Sequence, residues 1–149
     1  MRHLIERVLE LSDEEIVPQL DPQPNGQGTD EELRALLESL QPRIRVYGVG
    51  GAGCNAVGRL DAEGLFENSF VTGYAINTDA QALLMSPLEH KVLIGRTARG
   101  RGAGGDPTKG EAAALESEMA LRGITTDTQL AIIAAGMGGG SGTGAAGHI

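Results

Sequence analysis

The chain has 149 residues, a formal net charge of −8, and 40% hydrophobic residues with only 3% aromatics. That length suits one domain, whose core must be built from Ala, Val, Leu and Ile. The acidic balance excludes a basic nucleic-acid surface, no apolar run approaches the roughly 18 residues of a membrane span, and the single cysteine, Cys54, excludes an internal disulfide and a multi-cysteine metal site.

Charge and glycine divide the chain near residue 43. Ten of the 20 acidic residues but only three of the 12 Lys and Arg precede it, with two of the 23 glycines. Residues 1–42 therefore read as an acidic helical extension, and residues 43–149 as the main domain. In the extension, Leu4, Ile5, Val8 and Leu9 share one helical face. Glu6 and Glu10 interrupt the apolar stretch that a signal peptide needs, so the protein reads as cytoplasmic, without direct membrane insertion. Ser12 and Glu15 form a capping-box pattern that Pro18 stops, and residues 18–28, rich in Pro, Gly, Asn and Gln, read as a linker. A disordered tail with transient helices describes residues 1–28 nearly as well. Thr29 then reads as an N-cap with Glu32 at the third helical position, followed by the stripe Leu33, Leu36, Leu37 and Leu40. Pro42 ends that helix, which is expected to dock on the main domain.

Residues 44–49 form a strand entering the turn Gly48-Val49-Gly50-Gly51-Ala52-Gly53, and a helix is expected from about Asn55 to Glu63. Glycines there let a diphosphate approach the backbone, and the helix N-terminus supplies about half a positive charge. Asn55 offers an amide to a sugar or base. Cys54 is better placed as a small packing residue than as a nucleophile, since no histidine lies near it in sequence. A second strand over residues 70–76 ends in Asn77-Thr78-Asp79, where polar residues of a parallel sheet meet the ligand crevice. Asp79 has three open roles: accepting from a ribose hydroxyl, holding water on Mg²⁺, or capping the helix over 80–85.

A short strand over 91–94 precedes a second glycine cluster, residues 99–107, which includes Gly102, Ala103, Gly104, Gly105 and Asp106. It suits a phosphate lid or sensor loop, with Arg96, Arg99 and Arg101 as optional charge partners; one short RGRG copy between regular elements argues against RNA binding. A helix over about 108–121, with Ala112, Leu115 and Met119 inward, is expected to stop at Gly123. The apolar run Leu130-Ala131-Ile132-Ile133-Ala134-Ala135 then reads as a buried strand, and a glycine loop follows it, Gly136-Met137-Gly138-Gly139-Gly140-Ser141-Gly142-Thr143-Gly144. Glycines reach positive φ freely, so such a loop suits a nest of converging N–H groups at a strand-to-helix corner. A flexible linker has the same composition, but linkers rarely follow a strongly apolar strand directly.

Three glycine-rich loops, 48–55, 99–106 and 138–144, thus each lie between a strand and a helix. Parallel βαβ topology brings the C-terminal ends of the strands to one edge, so the loops are expected to converge. The fold class is α/β, a Rossmann-like parallel sheet with flanking helices. The absence of G-x-x-x-x-G-K-[ST] excludes a P-loop, leaving backbone amides, helix dipoles and a metal to hold the phosphates.

At residues 138–144 the sequence resembles the G-G-G-T/S-G-T/S-G signature of the tubulin/FtsZ superfamily. The resemblance to the FtsZ cell-division GTPases extends through residues 48–56, 75–83, 99–107 and 135–137, in the family's order, and the acidic helical extension is more similar to archaeal than to bacterial members. It implies that GTP or GDP and Mg²⁺ bind here. Gly50, Gly51, Ala52, Gly53, Cys54 and Asn55 would hold the α- and β-phosphates and reach the nucleoside. Asn77 and Asp79 would line the phosphate and Mg²⁺ side, Asp79 indirectly through water. Gly102, Ala103, Gly104 and Gly105, with Asp106, would sense the γ-phosphate. Gly138, Gly139, Gly140, Ser141, Gly142 and Thr143 would form the main phosphate loop.

The resemblance also implies head-to-tail filaments of the protein itself at a mid-cell division ring in the cytoplasm, with division-ring anchoring proteins as further partners. Hydrolysis in the family occurs between subunits, so no catalytic residue is expected in residues 1–149, and the chain alone is expected to be inactive. The chain stops at Ile149, inside the helix that should follow the signature loop, and so reads as a truncated GTP-binding domain whose strand 130–135 lacks a neighbour. Ser141 replaces the usual Thr and keeps the hydroxyl; Ala52 replaces a usual Gly, which a negative φ allows. Gly147-His148 stands where Pro and an aliphatic residue are usual, and His148 reads as a bystander. Two rival readings are an NAD- or FAD-dependent oxidoreductase, which has no need of the 138–144 loop, and a non-catalytic nucleotide-binding relative.

Overall fold

In the computed structural model, which describes residues 29–67 and 70–149, the strands β1 (Ile44–Val49), β2 (Val71–Asn77), β3 (His90–Leu93) and β4 (Leu130–Ala135) form one parallel sheet in the order β3-β2-β1-β4. The helices are α1 (Asp30–Leu40), α2 (Gly50–Ala62), α3 (Ala80–Met85), α4 (Pro107–Glu116), α5 (Glu118–Thr125) and α6 (Gly140–Ala145). The helix expected near residues 3–11 and the linker at 18–28 lie outside the described residues. Helix α1 belongs to a different unit from residues 41–149. It starts on the expected reciprocal cap: Thr29 N–H donates to the Glu32 carboxylate at 3.0 Å, and Glu32 N–H donates to Thr29 Oγ1 at 3.4 Å.

Strand β1 is central, with Val46 level with Gly73 on one side and Ile132 on the other. Successive side chains of a strand point to opposite faces. Tyr47 and Val49 therefore join Ile76, Ile94, Ala113, Ala114, Leu121 and Ala145 in one core. Val46 joins Cys54, Val57, Val71, Ala75, Leu83 and Leu88 in the other. Helices α4, α5 and α6 thus supply one face and α2 and α3 the opposite one. Burying each of Val49, Ile76, Ile94 and Leu121 contributes about 1.5–3 kcal/mol. The corner before β4 is pinned to β1. The Tyr47 hydroxyl donates to the Ile124 carbonyl at 2.9 Å and lies 3.2 Å from Thr128 Oγ1, and the Arg45 guanidinium donates to the same carbonyl.

Five sequence expectations need correction. Helix α2 begins at Gly50, not near Asn55, because the glycine turn itself winds into the first helical turn. The single helix expected over 108–121 is two helices, broken at Ser117, whose hydroxyl accepts the Gly95 N–H at 3.0 Å. Its inward face is Gly110, Ala113, Ala114 and Leu121, whereas Ala112 is exposed, Leu115 is 55% exposed and Met119 89%. Small residues face inward there because α6 crosses close: a β-carbon on Gly110 would run into the Gly140 carbonyl. Helix α5 also continues past Gly123 to Thr125. Finally, β4 is not buried. It is the sheet edge, with Leu130, Ile132 and Ile133 each 42–49% exposed.

Candidate functional site

The chain steps outward from β1 through β2 to β3, then returns to the far side of β1 as β4. The gap between the C-terminal ends of β1 and β4 is therefore the point where the strand order reverses, and open α/β sheets bind ligands there. A cleft of about 260 Å³ occupies that place, walled by residues 49–52 from one loop and by Gly136 and residues 138–142 from the other. Helices α2 and α6 both start on this wall. Their N-cap positions, Val49 and Gly139, supply no side-chain cap, so the first N–H groups are left for an anion. Among the described residues, no cationic side chain lines the cleft.

The last loop uses glycine differently from the expectation. No glycine between 136 and 144 has a positive φ. Space is the reason instead. A β-carbon on Gly142 would stand 2.6 Å from the Gly136 carbonyl oxygen, and one on Gly140 would stand 2.7 Å from the Ala103 β-carbon. At Gly51, Gly138 and Gly139 a β-carbon would meet nothing within 4 Å, so these three form bare backbone facing open space. Ala52 is exposed and is not among the residues of positive φ, so its departure from glycine is accommodated.

The middle loop is where left-handed backbone concentrates: Arg99, Gly100, Gly102, Gly104 and Gly105 all have positive φ. Gly102 N–H donates to the Thr78 carbonyl at 3.1 Å, and Arg101 bridges Asp79 in an antiparallel backbone pair. Asp106 caps α4, accepting from Thr108 N–H at 3.0 Å and Thr108 Oγ1 at 2.6 Å, bonds that hold its carboxyl below the usual range. The close approach of Gly140 to Ala103 and Asp106 joins this loop to the first turn of α6. All three loops thus reach one edge of the sheet, although residues 102–105 do not wall the cleft itself.

At the end of β2, Asn77 is buried and its Oδ1 accepts the Asp79 N–H at 3.2 Å. Asp79 Oδ1 accepts from Gln81 and Ala82 N–H at 2.9 and 3.1 Å, so the capping role is realised. The Cys54 thiol is buried, donates to the Gly48 and Ile76 carbonyls, and has its pKa pushed up by burial. It is a packing residue, its thiol tied to the start of the glycine turn at Gly48 and absent from the cleft wall. Asn55 is exposed on α2 away from the cleft wall, and Thr143 has a buried hydroxyl without a hydrogen-bond partner. Sequence reasoning passed over Thr78, whose hydroxyl lies 2.6 Å from that of Ser141 on the cleft wall. Its position between Asn77 and Asp79 was the available signal.

No group of three or more His, Cys, Asp or Glu among the described residues is arranged to hold a metal. A hard cation here would be held mainly by the ligand's own oxygens and water, which Mg²⁺ favours. A larger cavity of about 370 Å³ lies behind Gly102 and Ala103, against Ala112, Ala113 and Glu116. It is mostly apolar, its Glu116 carboxylate already accepts from Thr97, and it does not lie at the strand reversal. The smaller cleft is the better anion site.

Comparison with known proteins places this geometry. The family model "Tubulin/FtsZ family, GTPase domain" matches residues 43–149. Cell division protein FtsZ 1 of Pyrococcus abyssi is 45% identical over 148 residues, which are 98% of this chain and 39% of the relative. The FtsZ 1 of Methanocaldococcus jannaschii is 44% identical over 118 residues, 78% of this chain and 32% of the relative. Among solved structures, the empty FtsZ dimer of M. jannaschii superposes with a TM-score of 0.71 at 41% identity, covering 87% of this chain and 35% of that one. CetZ2 of Haloferax volcanii, solved as a GTPγS-bound protofilament, gives a TM-score of 0.59 at 30% identity over 70% of this chain and 33% of that one. The chain spans about 39% of the length of the Pyrococcus abyssi relative.

Proposed function

Because the chain belongs to the tubulin/FtsZ family through its GTPase domain, we propose that the cleft between β1 and β4 binds GTP and GDP. The observation that carries this reading is the meeting of two uncapped helix N-termini over bare glycine backbone at the strand reversal. Backbone N–H groups and helix dipoles favour a diphosphate there without any lysine.

In this reading the α2 turn, Gly50 to Gly53 with the Cys54 backbone, holds the α- and β-phosphates, and Asn55 reaches toward the nucleoside. Gly138, Gly139, Gly140, Ser141, Gly142 and Thr143 hold the phosphate chain from the β4 side. Gly102, Ala103, Gly104 and Gly105 respond to the γ-phosphate, Gly104 and Gly105 through exposed, left-handed backbone and Ala103 from a buried position beside them, and Asn77 shapes the corner that carries Asp79. Asp79 would hold Mg²⁺ through a water, and the metal would supply positive charge to offset that of the phosphates.

The protein would act as a filament-forming cell-division GTPase at a cytoplasmic division ring, in contact with other copies of itself and with anchoring proteins. The dimeric and protofilament forms of the related FtsZ and CetZ2 structures support self-association. Water activation is assigned to carboxylates of a neighbouring subunit, so these residues bind and orient the phosphates and supply no general base. Titration of the protein with GTP, GDP and NAD tests the site. Saturable binding of both guanine nucleotides with NAD ignored is expected; tight NAD binding with GTP ignored overturns the reading.

A further inference from the structure

We infer that Thr78 is a positioning residue that turns the Ser141 hydroxyl into a hydrogen-bond donor aimed into the cleft. Thr78 is 1% exposed, and among the described residues Ser141 Oγ, at 2.6 Å, is the one hydrogen-bond partner of its hydroxyl. Each hydroxyl has a single proton, so one of the pair donates and the other accepts. Buried hydroxyl protons are nearly always paired. Thr78, being the buried member, gives its proton to Ser141. The proton of Ser141 is then free, and Ser141 is half-buried on the wall of the cleft.

Direction matters for the ligand class. Accepting one hydrogen bond polarises a hydroxyl and strengthens the bond it donates. A donor at this point suits a phosphate oxygen and opposes a directly bound cation. Thr78 is held firmly enough to impose that direction. Its carbonyl accepts the Gly102 N–H at 3.1 Å, and it stands between buried Asn77 and the α3 cap Asp79. A single residue thereby touches both the middle loop and the loop after β4. Neither a glycine signature nor a capping rule points to it.

The inference rests on the nucleotide reading, and a double-mutant cycle separates the two. GDP and guanosine affinities are measured by calorimetry for the protein and for Thr78→Val, Thr78→Ser, Ser141→Ala and the Thr78→Val/Ser141→Ala pair. Thr78→Val is expected to weaken GDP binding about tenfold, Thr78→Ser to bind as the parent does, and the double variant to bind no worse than Ser141→Ala. Guanosine, which lacks phosphate, should bind all of them equally, a pattern that general loosening of the fold would not produce. Unchanged GDP affinity in Thr78→Val, additive losses in the pair, or equal losses for guanosine and GDP overturn the inference. If Thr78→Val does not fold, Thr78→Ser carries the decision: a loss of GDP affinity with the hydroxyl retained overturns it, and parental affinity upholds it. Failure of the unaltered protein to bind GDP or GTP overturns the nucleotide reading instead.

Discussion

Gly50 and Gly142 meet so closely that a β-carbon on Gly50 would stand 2.7 Å from the Gly142 backbone nitrogen. The loop leaving β1 and the loop leaving β4 are therefore one continuous wall, built from segments far apart in sequence. Side chains are kept out of that wall for two reasons. At Gly50, Gly140 and Gly142 a neighbour already fills the space, whereas at Gly51, Gly138 and Gly139 the space is open. The second group is where a ligand fits.

This distinction separates two aspartate substitutions that look alike in sequence. Gly142→Asp should cost roughly 3 kcal/mol or more, because its side chain would collide with the Gly136 carbonyl. Gly139→Asp should stay within about 0.5 kcal/mol of the parent in thermal melts, yet abolish GTP binding, since its carboxylate would oppose the phosphates. Normal GTP affinity in Gly139→Asp removes the phosphate-wall argument.

Asp79 carries a cap and, in the proposed function, a charge that helps hold Mg²⁺. Asp79→Ala should lose about 1 kcal/mol of stability through the two α3 N–H groups it leaves unbonded. Asp79→Asn keeps an acceptor oxygen at the cap and should melt near the parent. It should nevertheless lose the gain in GTP affinity that Mg²⁺ confers on the parent, read by titrating GTP with and without the metal. Equal Mg²⁺ dependence in Asp79→Asn and the parent counts against the metal role.

Burial raises the Cys54 thiol pKa, so the folded protein keeps that proton more firmly than the unfolded chain. The linked stability is present below the unfolded thiol value of about 8.5 and is lost as pH rises toward the folded value. Urea midpoints should therefore fall between neutral pH and pH ~10, and part of that fall should vanish in Cys54→Ala. The native thiol should also resist disulfide reagents near pH 8 and react fully in urea. Rapid reaction of the native protein would show that the thiol is accessible after all.

The exposed edge formed by Leu130, Ile132 and Ile133 offers unpaired backbone and apolar side chains together. Sedimentation velocity should show concentration-dependent association of the 149-residue chain, reduced by Ile133→Lys. Association that ignores this substitution assigns the contact to another surface.

Much of the local architecture was legible in advance. The reciprocal Thr29–Glu32 cap, the Asp79 cap, the strands and the three glycine loops after strands follow from dihedral preference, short-range hydrogen bonding and continuous apolar runs. These depend on residues within a few positions of one another. The inward face of α4 was misjudged for the same reason. Its apolar signal, Leu115, faces solvent, as does Met119 on α5, while alanines and Gly110 take the crowded side, where α6 leaves no room for longer side chains.

The sequence by itself thus determined the elements, their parallel alternation and the family signature that points to a nucleotide. The tertiary structure alone decided which loops share a wall, why the glycines of residues 136–144 are bare, and that Thr78 reaches Ser141. A missing β-carbon has one appearance in a sequence whether a dihedral angle or a neighbouring backbone forbids it. The difference lies in atoms that the folded chain brings within 3 Å: at Gly50 the Gly142 nitrogen, from the opposite side of the reversal point, and at Gly142 the Gly136 carbonyl oxygen of its own loop.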